Sequence, residues 1–211
     1  MYTVESRYAW RRLVASTAIS TLGGVGMWSI TVVMPAVQAE FAVTRADVSF
    51  SYTTTMIGFG LGTVGAGYLI DRLGAFLTVM LATLILVGGY VAAAFVPTLW
   101  LFSSMQILIG LGAAASFVPM MADISHWFDR RRGLAMAICG AGNYLAGTLW
   151  PKLIDVVMRE HDWRMAYLTI AAICLVGMIP CCFVLRPRPP GHGATGAAAA
   201  APRSARSLGL S

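Results

Sequence analysis

Long apolar runs, separated by short polar connections, occupy most of the chain. Each run has about the 20 residues that a helix needs to cross the hydrocarbon of a bilayer, roughly twice the length of a barrel strand, and none alternates with a period of two. Backbone polar groups in hydrocarbon must be paired within the segment, which leaves the helix. The pattern predicts an all-α membrane protein with six transmembrane helices, over residues 13–36, 48–70, 76–96, 99–121, 133–151 and 163–185.

The composition divides the chain into three parts. Residues 1–12 form a basic lead, and the apolar run behind them is too long for a signal peptide, so we expect a retained first helix. Residues 13–185 form the six-helix bundle. Residues 186–211 are rich in Pro, Gly, Ala and Arg, cannot bury a core, and are expected to form a disordered cytoplasmic tail or the start of a linker.

The charges are few and unevenly placed. Only 11% of residues are charged, against roughly 25% in soluble domains, and 58% are hydrophobic. With both termini in the cytoplasm, 11 of the 15 basic residues fall on the inner side, as the positive-inside rule requires. The inner membrane surface therefore explains the net charge of +6 without a nucleic-acid partner. Arginine greatly outnumbers lysine, which indicates a high-GC genome and a bacterial inner membrane.

The sequence carries no pattern typical of catalysis or of cofactor binding. The four cysteines and three histidines are scattered without metal-ligand spacing, and the cysteines lie in or near predicted spans, where buried small residues are expected. No phosphate-binding loop and no Ser/His/Asp arrangement is present. We therefore expect no enzyme, no cofactor and no metal.

One short connection carries a recognisable motif. Between predicted helices two and three lie, in order, Gly67, Leu69, Asp71, Arg72 and Gly74. With "HWFDRRRGLAMAICGAGNYLAG" at 126–147 and "DWRMAY" at 162–167, the chain resembles the major facilitator superfamily, and within it the monocarboxylate and oxalate/formate carriers. This resemblance, over about residues 8–186, implies the first half of a fold made of two six-helix bundles around a central cavity.

The resemblance implies a gate at the inner side. Gly67 and Gly74 are expected to flank a tight turn. Asp71 and Arg72 lie in this turn, and the Asp71 carboxylate is expected near the start of helix five. Its expected partners there are Arg130, Arg131 and Arg132, in a contact that would break during alternating access. The alternative is that the turn only determines topology, and the two further basic residues usual in the family are Ala75 and Phe76 here.

The substrate candidates are polar residues at mid-depth. They are Thr21, Trp28, Gln106, Asn143 and Tyr144. The amides of Gln106 and Asn143 must face protein or water, and either a ligand or another helix could hold them. No charged residue lies in the middle of a predicted span. Small residues spaced by four, at Gly58/Gly62, Gly110/Ala114 and Gly142/Ala146, predict close helix packing.

A weak internal repeat supports the half-fold. "YLIDRLGAFLTVMLA" after predicted helix two and "KLIDVVMREHDWRMAYLTIAA" after helix five share Leu-Ile-Asp at equivalent connections, which predicts two inverted copies of three helices. The resulting hypothesis is a half-length secondary carrier for small carboxylates. Its partners would be the bilayer and a second six-helix half or a second copy. The alternatives are a non-transporting fragment and a six-helix membrane scaffold.

Overall fold

Six α-helices make up nearly all of the described chain. The computed structural model describes residues 6–187, and the predicted tail therefore lies outside it except for its first two residues. The helices are α1 (Arg7–Gly23), α2 (Val25–Phe41), α3 (Arg45–Phe95), α4 (Leu99–Ser125), α5 (Arg132–Glu160) and α6 (Trp163–Val184). The described residues contain no strand, which confirms the all-α prediction.

Four helical stretches are long and apolar enough to cross a membrane by length and composition. They are Arg7–Phe41, Arg45–Phe95, Leu99–Ser125 and Trp163–Val184. The first combines α1 and α2, which are separated only at Gly24. The fifth helix, α5, has 29 residues but is more polar and is not among the four.

Local signals in the sequence set the helix starts. Ser6 caps α1 by accepting a hydrogen bond from the Ala9 N–H, so α1 begins inside the predicted basic lead. Thr44 and Asp47 form a capping box at the start of α3, in which each side chain accepts from the other's backbone N–H. These polar residues therefore determine where α1 and α3 begin.

The connection between predicted helices two and three is shorter than expected. α3 continues for 51 residues, about 75 Å at 1.5 Å per residue, and departs from helical geometry only at Gly74, with φ 79° and ψ 170°. Asp71 and Arg72 are thus still helical, and Gly67 lies inside the helix rather than in a turn. Of the two glycines that were expected to flank the turn, Gly74 lies at the break and Gly67 lies within the helix.

The two motif glycines should differ sharply in their tolerance of a side chain. At Gly74 the backbone conformation is essentially reserved for glycine, and we expect Gly74→Ala to lower the free energy of unfolding by about 1–3 kcal/mol. Gly67→Ala is the matched control, because a Cβ there meets nothing within 4 Å and alanine favours helix by about 1 kcal/mol. Unfolding in detergent, followed by circular dichroism, checks both; equal effects would contradict the assignment.

Glycines bring the helices into backbone contact. A Cβ added at Gly58 would clash with the Ile107 carbonyl of α4, and one at Gly142 would lie 2.8 Å from the Thr17 carbonyl oxygen of α1. On α4, a Cβ added at Gly110 would clash with the Thr55 carbonyl oxygen of α3. The prediction that the small residues serve close packing is confirmed at these contacts between α3 and α4 and between α1 and α5.

Candidate functional site

Three of the predicted gate residues, Asp71, Arg72 and Gly74, line a cleft at one end of the bundle, called here the Asp71 end. The cleft encloses about 550 Å³ between the Gly74 kink, the end of α4 and the chain leaving α6. Asp71 and Arg72 are both exposed there, and the Arg72 guanidinium lies over the Tyr68 ring at 4.3 Å. The cleft thus places an acid and a base beside a backbone hinge.

The expected contact between Asp71 and the arginines at the start of α5 is not formed. Ion pairs among residues 6–187 join Arg12 to Asp123, Arg159 to Asp155 and Arg164 to Glu40, and none includes Asp71. The gate residues Arg130, Arg131 and Arg132 are all exposed at the entry to α5. The gating role of Asp71 stays a prediction, because a contact that breaks during transport is absent from some conformations by definition.

A buried ion pair that the sequence analysis missed occupies the same end. Arg12 of α1 donates from Nε to Oδ2 of Asp123 at 2.6 Å and from Nη2 to Oδ1 at 2.8 Å. The two residues are 1% and 3% exposed. The guanidinium also lies 4.7 Å from the centre of the Trp127 ring. This bidentate pair fastens α1 to α4 on one wall of the cleft.

The sequence did contain a signal for this pair. Arg12 follows the buried Ala9 and precedes the buried Ser16, and Asp123 follows the buried Met120, always at helical spacings of three or four. Both charges therefore continue buried faces beyond the ends of the apolar runs. Sequence reasoning treated them as end residues because each lies just outside a predicted span.

Three of the five substrate candidates, Thr21, Trp28 and Asn143, lie where α1 and α2 pack against α5. The Trp150 indole of α5 donates to the Thr21 carbonyl at 2.9 Å. A Cβ added at Gly147 would lie 2.8 Å from the Trp28 ring, and one at Gly24 would lie 2.8 Å from Oδ1 of Asn143. Tyr144, one residue on, is 77% exposed. The structure thus brings Thr21, Trp28 and Asn143 together at one seam, and Tyr144 lies beside it on the exposed side of α5.

The fifth candidate, Gln106, lies elsewhere. It is fully buried, accepts from the Thr55 hydroxyl at 3.2 Å and donates to the Tyr167 hydroxyl at 2.9 Å. The Tyr167 ring packs edge-on against Tyr90, whose hydroxyl pairs with Ser29 at 2.7 Å. Of the two alternatives for Gln106, the structure therefore shows the contact with other helices.

A polar stripe runs along the exposed side of α5, beside the exposed apolar residues Leu145, Leu149, Leu153 and Val156. Tyr144, Thr148, Lys152, Asp155 and Arg159 repeat at spacings of three and four and are all exposed. Asp155 and Arg159 pair at 2.9 Å, and Lys152 forms no ion pair with a described residue. This polar face starts at mid-span and runs about 22 Å toward the end of the helix.

A second charged contact fastens the opposite end of the bundle. Arg164, from the "DWRMAY" segment, pairs with Glu40 of α2 at 2.6 Å and donates to the Ala94 carbonyl at 2.7 Å. The Trp163 indole also donates to Glu40. One arginine thus joins α2, the end of α3 and the start of α6, a role that only the spatial arrangement reveals.

Long apolar helices in backbone contact, with ion pairs that join them near their two ends, define a polytopic helical membrane protein. The chain belongs to the Major Facilitator Superfamily, whose family model matches residues 17–210. The family predicted from the motifs is therefore confirmed.

Relatives and a solved structure agree with this assignment. The chain is 30% identical to the MFS-type transporter pynF of Aspergillus niger over 63% of this chain and 31% of that protein. It is 29% identical to Monocarboxylate transporter 6 of Mus musculus, over 87% and 39% respectively. It is 31% identical to the Fujikurins efflux protein of Gibberella fujikuroi, over 62% and 28%.

The solved structure of the proton:xylose symporter XylE, a protein of the same superfamily, has a similar fold. The TM-score is 0.74 with 15% identity, over 82% of this chain and 44% of that one. At this identity the likeness concerns the fold alone. The chain spans about a third of the length of the curated relatives named here and under half of the XylE chain.

Proposed function

We propose that the chain forms the N-terminal six-helix half of a secondary transporter that moves small mono- or dicarboxylates by alternating access. It would lie in a bacterial inner membrane with both termini in the cytoplasm and would work against a second six-helix half or a second copy. The three-plus-three inverted repeat belongs to this proposal. The family membership supports the proposal.

Helix lengths support the count of six spans. At about 75 Å, α3 is more than twice the thickness of the roughly 30 Å hydrocarbon core, and the break at Gly74 divides it into two segments that each suffice to cross it. The stretch Arg7–Phe41 supplies one span and α4 and α6 one each. With its 29 residues, α5 is also long enough, provided that its polar face avoids lipid.

The polar face of α5 is the observation that carries the proposal. Polar side chains that face hydrocarbon are costly, so the part of this face that lies within the predicted span, with Tyr144 and Thr148, is better placed against water or another protein. The neighbouring Trp28 indole N–H is buried and has no hydrogen-bond partner among the described residues. A water-filled cavity shared with a second bundle would solvate the polar face of α5 and offer a partner to the Trp28 indole N–H.

Donor groups at this seam suit a carboxylate. The Trp28 indole, the Asn143 amide and the Tyr144 hydroxyl can all donate hydrogen bonds, and Lys152 is a cation on the same polar face. Similarity to a protein named as a monocarboxylate transporter favours the same class. Similarity to efflux proteins favours a second candidate, the export of a larger organic molecule.

Uptake by the purified chain tests the proposal. Proteoliposomes with an imposed pH gradient should show saturable uptake of radiolabelled lactate, formate or oxalate above empty liposomes. Asp71→Asn should reduce the uptake at least about tenfold by removing the charge at the gate. Glu160→Gln, an exposed carboxylate at the far end of α5, should leave it unchanged.

The opposite result is equally informative. Absence of uptake from a helical, monodisperse chain would contradict a carrier made of two copies of this chain; a carrier would then require a separate second half, and without one the fragment or the scaffold would be favoured. Equal uptake by the Asp71→Asn variant would support the carrier but contradict a gating role for Asp71.

A further inference from the structure

Side chains of α1 close the end of α6. The last carbonyls of any helix lack partners within the helix. Here the Tyr8 hydroxyl donates to the Val184 carbonyl, and Nη1 of Arg12 donates to the Pro187 carbonyl at 2.8 Å. Tyr8 and Arg12 are one turn apart on α1, so a single face of the first helix holds the segment through which the chain leaves the sixth.

Arg12 cannot release this segment by a small movement. Its Nε and Nη2 groups are both bonded to Asp123, and the Trp127 ring faces the guanidinium. Because the Arg12 side chain is only 1% exposed, water does not reach it to replace a lost partner. A planar guanidinium with three fixed contacts sets the position of the Pro187 carbonyl relative to both α1 and α4.

We propose that Arg12 is a positioning residue that fixes where the chain leaves the bundle. Because Pro187 and Arg186 line the same cleft as Asp71 and Arg72, the same contact also sets the shape of that cleft. If the chain is half of a carrier, a displacement of the chain after residue 187 would be transmitted through Arg12 to α1 and α4. This last consequence rests on the proposed function; the contact itself does not.

The geometry separates this role from simple bundle stabilisation. An ion pair between α1 and α4 needs only the two donors that face Asp123. The third donor, Nη1, points to the exit segment and adds nothing to the pairing of α1 with α4. Exchanging the two residues, with Arg12→Asp and Asp123→Arg in one protein, would restore a pair between the helices but remove the donor to Pro187.

Hydrogen exchange at the Leu185 and Arg186 amides, measured on the full chain in detergent by mass spectrometry, tests the proposal. In Arg12→Gln these amides should exchange at least about tenfold faster, equivalent to about 1.4 kcal/mol. The exchanged pair should recover the thermal midpoint yet keep the fast exchange at 185 and 186. Arg159→Gln, which breaks an exposed pair of the same composition, should leave these amides unchanged.

Two results would overturn the proposal. One is exchange at 185 and 186 in a folded Arg12→Gln protein within twofold of the wild-type rate. The other result applies if that variant does not fold. Wild-type exchange rates at residues 185 and 186 in the protein with the exchanged pair would then assign Arg12 to bundle stability alone. Because no substrate is involved, failure of the uptake experiment leaves this measurement unaffected.

Discussion

Replacing Gly58 by alanine should be among the most damaging single changes in this chain, with a loss of about 3 kcal/mol in the free energy of unfolding. The added methyl group would meet the Ile107 backbone of α4, and backbone cannot rotate away as a side chain can. The two helices would have to separate along the contact that also includes Gly62 and Gly110. Dispersion contacts would be lost on both sides of the gap.

A neighbouring glycine provides the control. Gly60 lies on the exposed side of the same helix, where a Cβ meets nothing within 4 Å, so Gly60→Ala should be neutral or stabilise the helix by up to about 1 kcal/mol. Titration with a denaturing detergent, followed by circular dichroism, measures both. A Gly58→Ala protein as stable as Gly60→Ala would show that α3 and α4 pack less closely than described.

The close-packed parts of the fold could be predicted because close helix packing requires a pattern of neighbouring residues that is visible in the sequence. Apolar runs and small residues spaced by four indicated where helices lie and where they touch, and Gly58 and Gly110 confirmed it. The extent of α3 was not predictable, because Gly67 and Gly74 look alike in sequence. Only Gly74 takes a positive φ, and nothing local to either residue decides which glycine breaks the helix.

The charged contacts could not be predicted from the sequence, for a different reason. Arg12 and Asp123 are 111 residues apart, so their pairing depends on how α1 and α4 are placed together. For Gln106, a buried amide was expected. Its partners Thr55 and Tyr167 could not be predicted, because they depend on how three helices pack together. The cost of an unpaired amide predicted that Gln106 has polar partners, and only the structure showed which groups they are.

Removing the Asp123 carboxylate should cost about 3–5 kcal/mol, because Asp123→Ala leaves the Arg12 guanidinium buried and without its counter-charge. Neither Trp127 nor the Pro187 carbonyl carries a full negative charge, so they replace only part of the lost interaction. The expected result is a large fall in the free energy of unfolding, or an expressed protein that is not monodisperse in detergent.

The exposed pair of α5 gives the matched control. Asp155 and Arg159 are 54% and 76% exposed, water solvates both charges, and a pair of this kind contributes about 0.5 kcal/mol or less, so Asp155→Ala should change stability by no more than that. Similar losses in the two variants would contradict a buried pair. The double replacement Arg12→Met with Asp123→Leu should be far more stable than Asp123→Ala, since removing both charges removes the desolvation cost. Recovery of that kind would show that the cost of Asp123→Ala comes from an isolated charge rather than from lost packing volume.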